Sequence, residues 1–323
     1  MVVIGSAHGV ELRSPDDAYF SYFNSPYIGH SLGSAIDIYP RHDGWSCQIE
    51  SPIDGCISKI KKMGMGLEKQ FPTSDHDFGV AIKPEGSGSD IVRILHVEPK
   101  VTIGEKISVG DHIGTALRSR YFNYWTGPHY HVEVMDENSF NRSSQSYPLE
   151  IPFEYVPTKR DSICEETNFE VRSVSKDSII GYPTDLNHLS IGRFHGISAF
   201  NENGSRIGIL DGGISHYKHG GVIGSQEIVA GATIELEGIK IGSIAESMQG
   251  ASYFHRNSLL TPLLNGDELL GISCFIYPKR YTKRGIPQIV LVPKRYAQFD
   301  GQYKEGDILT LVLRGDSNSI KTR

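Results

Sequence analysis

Scarcity is the first thing the sequence shows. Its 323 residues include only four cysteines and two tryptophans, and no long apolar run. Cys47, Cys56, Cys164 and Cys274 are widely spread and form no C-x-x-C pair, so neither a dithiol redox motif nor a cysteine zinc knuckle is available. Buried free thiols are the expectation. Lysine and arginine number 32 against 38 aspartates and glutamates, a net charge of −6, and the basic residues are scattered. Without a basic face there is nothing to draw in nucleic acid. No window approaches the roughly 20 apolar residues of a membrane span. The opening residues Met1 to His8 have neither a positive leader nor an apolar stretch of secretory length. A soluble, cytoplasmic chain without nucleic-acid or membrane partners is therefore expected. The first half has no second copy, and there is no low-complexity tract.

What is present points to β structure. The 35 glycines, 16 tyrosines and 13 phenylalanines favour tight turns between short strands. The length suits two domains at about 100–200 residues each. Residues 1–30, with Asp16-Asp17-Ala18-Tyr19-Phe20, have little clean periodicity and read as a lead-in. Ile36-Asp37-Ile38-Tyr39 is a short apolar strand that stops at Pro40, and a Pro-x-Asp-Gly type turn at 52–55 leads into an alternating strand over 56–60. Phe78–Lys83 and Asp90–Val97 form a hairpin around Pro84–Ser89, and the glycines at 104, 110 and 114 punctuate short apolar pieces. The Pro- and charge-rich stretch from Tyr147 to Glu166 marks the domain boundary, giving domains over 1–150 and 167–323 with a linker over 151–166. Beyond it, runs such as 206–210, 232–236, 288–292 and 307–313 predict a second β domain, a sandwich or barrel. The fold class is all-β, with an antiparallel sheet domain first.

Chemistry concentrates in Thr126-Gly127-Pro128-His129-Tyr130-His131-Val132-Glu133-Val134. On a strand successive side chains alternate, so His129, His131 and Glu133 line one face and Tyr130, Val132 and Val134 the other. A His-x-His on a rigid strand suits a zinc ion, which takes nitrogen ligands at about 2.0–2.1 Å. His30, Asp37 and His96 precede it in separate segments. The aromatic loop Tyr121–Trp125 is a wall of a groove or simple packing. In the second half, Asp211–Gly221 with His216 and His219 reads as a glycine-rich loop with exposed histidines, or as a small metal or anion site.

These pieces, in this order, resemble the lysostaphin/LytM-type zinc metallopeptidases over roughly residues 28 to 136. The resemblance is carried by Leu95-His96-Val97, by the Val101, Gly104, Ile107, Gly110, Ile113-Gly114 spacing, and by the closing Gly127-Pro128-His129-Tyr130-His131-Val132-Glu133-Val134. Ser51-Pro52-Ile53-Asp54-Gly55 and Ile36-Asp37-Ile38 add to it. It implies zinc held by Asp37 and His131, with His96 and His129 as catalytic, non-ligating histidines beside water and a peptide or amide substrate. Glu133 then orients an imidazole or faces solvent at the rim. The family's first ligand is a histidine four residues before the aspartate, where this chain has Gly33. Either His30, seven before, swings in between Gly29 and Gly33 to complete a His30, Asp37, His131 set, or the first ligand is lost. The corresponding functions are a zinc-dependent amide hydrolase and a non-catalytic binding module on a degenerate fold. The Ser51–Gly55 and Val109–Asp111 elements also resemble biotinyl or lipoyl carriers, but no lysine sits at a matching hairpin tip.

Overall fold

A strand that carries His-Val-Glu-Val has to find partners for imidazole and carboxylate while burying valine on its other face, and this decides the architecture of the first half. The computed structural model describes residues 1–40, 44–160, 162–224, 227–257 and 260–315. They divide into two compact units, one of Met1–Tyr22 with Tyr27–Pro152, the other of Phe23–Pro26 with Phe153 onward. Both are almost wholly β. No helix of the described residues is long and apolar enough to cross a membrane.

The first unit is built on an antiparallel sheet of seven strands: β1 (Tyr19–Ser21), β2 (Ala35–Tyr39), β3 (Gly55–Gly64), β4 (His76–Lys83), β5 (Asp90–Leu95), β6 (Lys106–Ile107) and β7 (Tyr130–Asp136). Their order across the sheet is β6-β3-β4-β5-β7-β2-β1. β7 is therefore interior, and every residue from Tyr130 to Met135 is buried. One face, with Val80, Ile82, Val92, Ile94, Ile36, Ile38, Tyr130, Val132 and Val134, is apolar core. The other carries the polar residues of interest. Residues 1–30 are more regular than expected: Val2–Ala7 and Val10–Ser14 form a hairpin, and β1 joins the main sheet. Val10–Ser14 does alternate, with Val10, Leu12 and Ser14 buried and Glu11 exposed, whereas Tyr19–Ser21 is buried at every residue and so shows no alternation.

The second unit contains two closed rings of strands. The first runs through β10 (Phe194–Asn201), β11 (Ser205–Ile214), β12 (His219–Ile223), β13 (Thr233–Leu236), β14 (Ile239–Met248) and β15 (Ala251–His255), each paired with two others until β10 meets β11. The second ring takes β8 (Glu166–Val174), β9 (Ile179–Pro183), β16 (Leu260–Leu264), β17 (Asp267–Cys274), β18 (Ile289–Pro293) and β19 (Ile308–Gly315). β11 is long enough to pair with β17 as well, which links the rings. Closure removes the unpaired edges that open sheets expose, so of the expected sandwich or barrel the chain forms barrels.

Two expectations need correction here. Asp211–Gly221 is mostly not a loop: Asp211–Ile214 ends β11 and His219–Gly221 begins β12. Its glycines make room for neighbours, since a Cβ on Gly221 would lie 2.0 Å from Phe23 Cδ2 and one on Gly220 2.6 Å from Phe254 Cζ. Asp211 is buried and accepts from the Phe23 N–H at 3.1 Å, while His219 is buried with Nε2 2.6 Å from the Ser25 carbonyl. Of the four thiols only Cys274 is buried; Cys47, Cys56 and Cys164 are partly exposed.

Candidate metal centre

Strand register assembles the centre. β7 pairs with β2 so that His131 lies opposite Asp37, and with β5 so that Glu133 lies opposite Arg93. Directly opposed residues share a face with Cβ atoms about 4.5–5.5 Å apart. His131 therefore meets Asp37 on one rung, and Glu133 meets Arg93 two residues on.

His30 comes from outside the sheet. It sits in a single helical turn, α1 (Ile28–Ser31), which Gly33 at φ +61° reverses into β2. A helical turn advances only about 1.5 Å per residue, so seven residues of partly coiled chain bring His30 no farther from Asp37 than a shorter extended path would. His30 Nε2 is 3.1 Å from Asp37 Oδ1 and 3.1 Å from His131 Nδ1, and His131 Nδ1 is 2.8 Å from the same Asp37 oxygen. Among the described residues these three alone form a group of histidine, cysteine or carboxylate side chains close enough to share a metal ion.

The proton inventory of the trio tests whether it fits a cation. His30 Nδ1 lies 2.6 Å from the Tyr22 carbonyl, which can only accept, so in the neutral ring Nδ1 carries the proton and Nε2 a lone pair. His131 lies between two carboxylates, with Nδ1 2.8 Å from Asp37 Oδ1 and Nε2 3.4 Å from Glu133 Oε1, so both of its nitrogens face groups that only accept. Once His131 Nδ1 gives up its proton, two ring lone pairs and a carboxylate oxygen converge in a buried space. A metal ion satisfies all three, and the donor set suits zinc. Their spacing of 2.8–3.1 Å is a few tenths tighter than the roughly 3.3 Å edge of a tetrahedron with about 2.0 Å bonds. Without a cation, a proton fills the gap. Burial works against charging His131, but Glu133 and Asp37 together raise its pKa to about 9. For Asp37, burial is outweighed by the charges of His30 and His129 and by histidine hydrogen bonds, which hold it well below the usual carboxylate range.

Glu133 anchors the far side of His131. Its Oε2 accepts from Arg93 Nε at 2.9 Å and also from Nη2, and Arg93 continues to the Phe140 carbonyl and to Ser143 Oγ, each at 2.5 Å. The carboxylate faces inward, fully buried, and does not sit at a solvent rim. Gly29 makes room for it: a Cβ there would lie 2.5 Å from Glu133 Oε1.

The two remaining candidates lie beside the trio. His129 donates from Nδ1 to the Gly127 carbonyl at 2.9 Å and brings Nε2 to 3.7 Å from Asp37 Oδ2. Burial lowers its pKa to about 4, so the ring is neutral near pH 7. The His96 ring centroid is 5.4 Å from that of His129 and 6.2 Å from that of His131. Over this group Tyr27 stacks on Tyr121 at 4.3 Å, with Tyr27 5.7 Å from the His131 ring and Tyr121 6.3 Å from His96. His30, Asp37, His96, His129 and His131 are each at most 3% exposed. All five candidates from the sequence thus meet in one cluster.

Residues that sequence reasoning did not single out complete it: Asp77, which pairs with His96, Arg93, and the tyrosines 27 and 121. Arg93 had a readable signal, a lone charge inside the apolar strand Ile91-Val92-Arg93-Ile94-Leu95, since a buried arginine requires a partner. Asp77 had none, because its partner is 19 residues away.

Fold and cluster together define an all-β protein with a buried two-histidine, one-aspartate site of a composition that holds divalent cations. Residues 12–151 match a family described as "Domain of unknown function (DUF8155) N-terminal domain". No curated protein matches. Among solved structures, the chain is similar to one titled "A Novel M23 Metalloprotease Pseudoalterin from Deep-sea", at 14% identity and TM-score 0.27 over 39% of this chain and 70% of that one. It is also similar to the "NMR solution structure of lysostaphin", at 16% identity and TM-score 0.26 over 75% of this chain and 89% of that one.

Proposed function

We propose that the first unit is a zinc-dependent hydrolase of an amide or peptide bond, with zinc held by His30 Nε2, Asp37 and His131 Nδ1 and with His96 and His129 as its catalytic histidines. The observation that carries this is the convergence of three ligand-type atoms, two imidazole nitrogens and a carboxylate oxygen, within 3.1 Å in a buried site. The motif order from His96 to Val134, resembling the lysostaphin/LytM-type enzymes, supports it. When bound, zinc supplies Lewis acidity, polarising a carbonyl and lowering the pKa of water toward about 7.

The remaining work falls to this chain's own groups. His129, with Nδ1–H committed to the Gly127 carbonyl, keeps Nε2 free to accept a proton beside the trio. His96, with Nδ1 held by Asp77, presents its Nε2 as a second ring nitrogen beside the trio. The Glu133–Arg93 pair keeps the His131 ring turned toward Asp37. The Tyr27–Tyr121 stack excludes water and has to part before a substrate enters.

Metal analysis of protein purified without chelator tests the proposal. It expects close to one zinc per chain, far less in His131→Ala, and chelator-sensitive cleavage of a degenerate fluorogenic peptide library. Zinc well below one equivalent that is unaffected by His131→Ala would overturn it. The closed state of the cluster favours a second reading, a binding module without catalysis; stoichiometric zinc with no cleavage of the library identifies that one.

A further inference from the structure

Asp77 is a buried carboxylate, 2% exposed, to which the hydrolase just described assigns no task. Its surroundings are specific. Oδ2 lies 2.6 Å from His96 Nδ1 and accepts from Ser119 Oγ at 2.8 Å, while Oδ1 accepts from the Phe78 N–H at 2.7 Å. Burial opposes its charge, but His96 and these hydrogen bonds keep its pKa below the ordinary value. Because a carboxylate only accepts, the proton of neutral His96 sits on Nδ1 and the lone pair on Nε2. Nε2 is buried and makes no hydrogen bond among the described residues. A buried ring nitrogen without a partner is unfavourable, and the fold keeps it so at the edge of the trio.

The backbone shows the same placement. His96 is a non-glycine residue at φ +68°, where a side chain carries strain. It is held there by bonds from its N–H to the Phe78 carbonyl at 3.3 Å and from the Leu117 N–H to its own carbonyl at 2.9 Å. Phe78 thus fixes both partners, through its carbonyl to His96 and its N–H to Asp77. A histidine that only filled space would need neither the strained turn nor a carboxylate with three donors.

Resting on the hydrolase reading, we propose that Asp77 is the positioning residue for His96: together with Ser119 it fixes the Nδ1–H tautomer and the ring orientation, so that Nε2 is presented as a proton acceptor at the reacting centre. Asp77 touches no substrate and acts only through His96.

The test is Asp77→Asn in the full chain. Side-chain 15N NMR of His96, assigned by comparison with His96→Gln, reads the tautomer directly. Nδ1–H is expected in the parent protein and its loss or a mixture in Asp77→Asn, with zinc content unchanged because no trio ligand is altered. Against the fluorogenic library, kcat is expected to fall about 10²-fold, within the range for general acid–base groups, with KM changed less than about twofold. Ser119→Ala, which removes one donor and leaves the carboxylate, is expected to reduce kcat less and keep the tautomer. The same tautomer in parent and Asp77→Asn overturns the proposal, as does an unchanged kcat. If the parent protein cleaves nothing, the hydrolase reading fails by itself, and the tautomer comparison still decides whether Asp77 sets the His96 ring.

Discussion

Gly29→Ala probes the centre without touching a ligand. The new Cβ would lie 2.5 Å from Glu133 Oε1 and 3.1 Å from the Ala35 Cβ. The nearer atom ends a flexible side chain, which would normally step aside. Here it cannot do so freely, because the other carboxylate oxygen is bonded twice by Arg93 and the whole group is buried. Oε1 has to leave the His131 Nε2, from which it is now 3.4 Å. Loss of such an outer partner typically weakens metal binding about 10- to 100-fold, or about 1.4–2.7 kcal/mol. Overpacking adds a fold destabilisation of about 1–3 kcal/mol. Zinc affinity by competition with a chromogenic chelator, alongside urea unfolding of the metal-free protein, separates the two effects. Gly64→Ala, with nothing within 4 Å of the added Cβ, is the control and should leave both unchanged. A Gly29→Ala protein that binds zinc as tightly as its parent would refute the role assigned to Glu133.

Other outcomes follow from the same geometry. In the metal-free protein the raised His131 pKa contributes stability that is fully present below about 6.5 and is lost as pH rises toward about 9. Zinc bound as proposed would displace that proton, so its affinity should climb about tenfold per pH unit between 7 and 8.5, measured by chelator competition; a plateau above pH 7 would show that His131 is not the proton holder. Tyr121→Ala removes a stack worth about 0.5–1.5 kcal/mol, so EDTA should strip zinc about 2- to 13-fold faster if that stack closes the site. In the second unit, Phe254→Ala leaves the space that Gly220 and Gly242 concede to the ring; a loss of about 3–5 kcal/mol in unfolding free energy is expected, with zinc content unaltered.

Much of this protein was legible in its residues. The short apolar runs at 78–83 and 90–97 and the alternating run at 129–134 form strands, at His76–Lys83, Asp90–Leu95 and Tyr130–Asp136. His129, His131 and Glu133 share a face because the side-chain period of a strand is two. What local pattern does not encode is the register between strands distant in sequence. His131 meets Asp37 94 residues away, and a slip of one residue would turn either side chain into the apolar core. Gly33 in place of a histidine left open in sequence whether His30 joins Asp37 and His131; one turn of helix, a reversal at Gly33 and the Tyr22 carbonyl bring His30 Nε2 beside the Asp37 and His131 atoms. The closing of the barrels, the inward burial of Glu133 against Arg93 and the pairing of Asp77 with His96 were likewise decided in three dimensions. Barrel closure depends on pairing between strands distant in sequence, and the two buried pairs depend on which charge finds a partner, since a charge cannot be buried until the fold has brought that partner within reach.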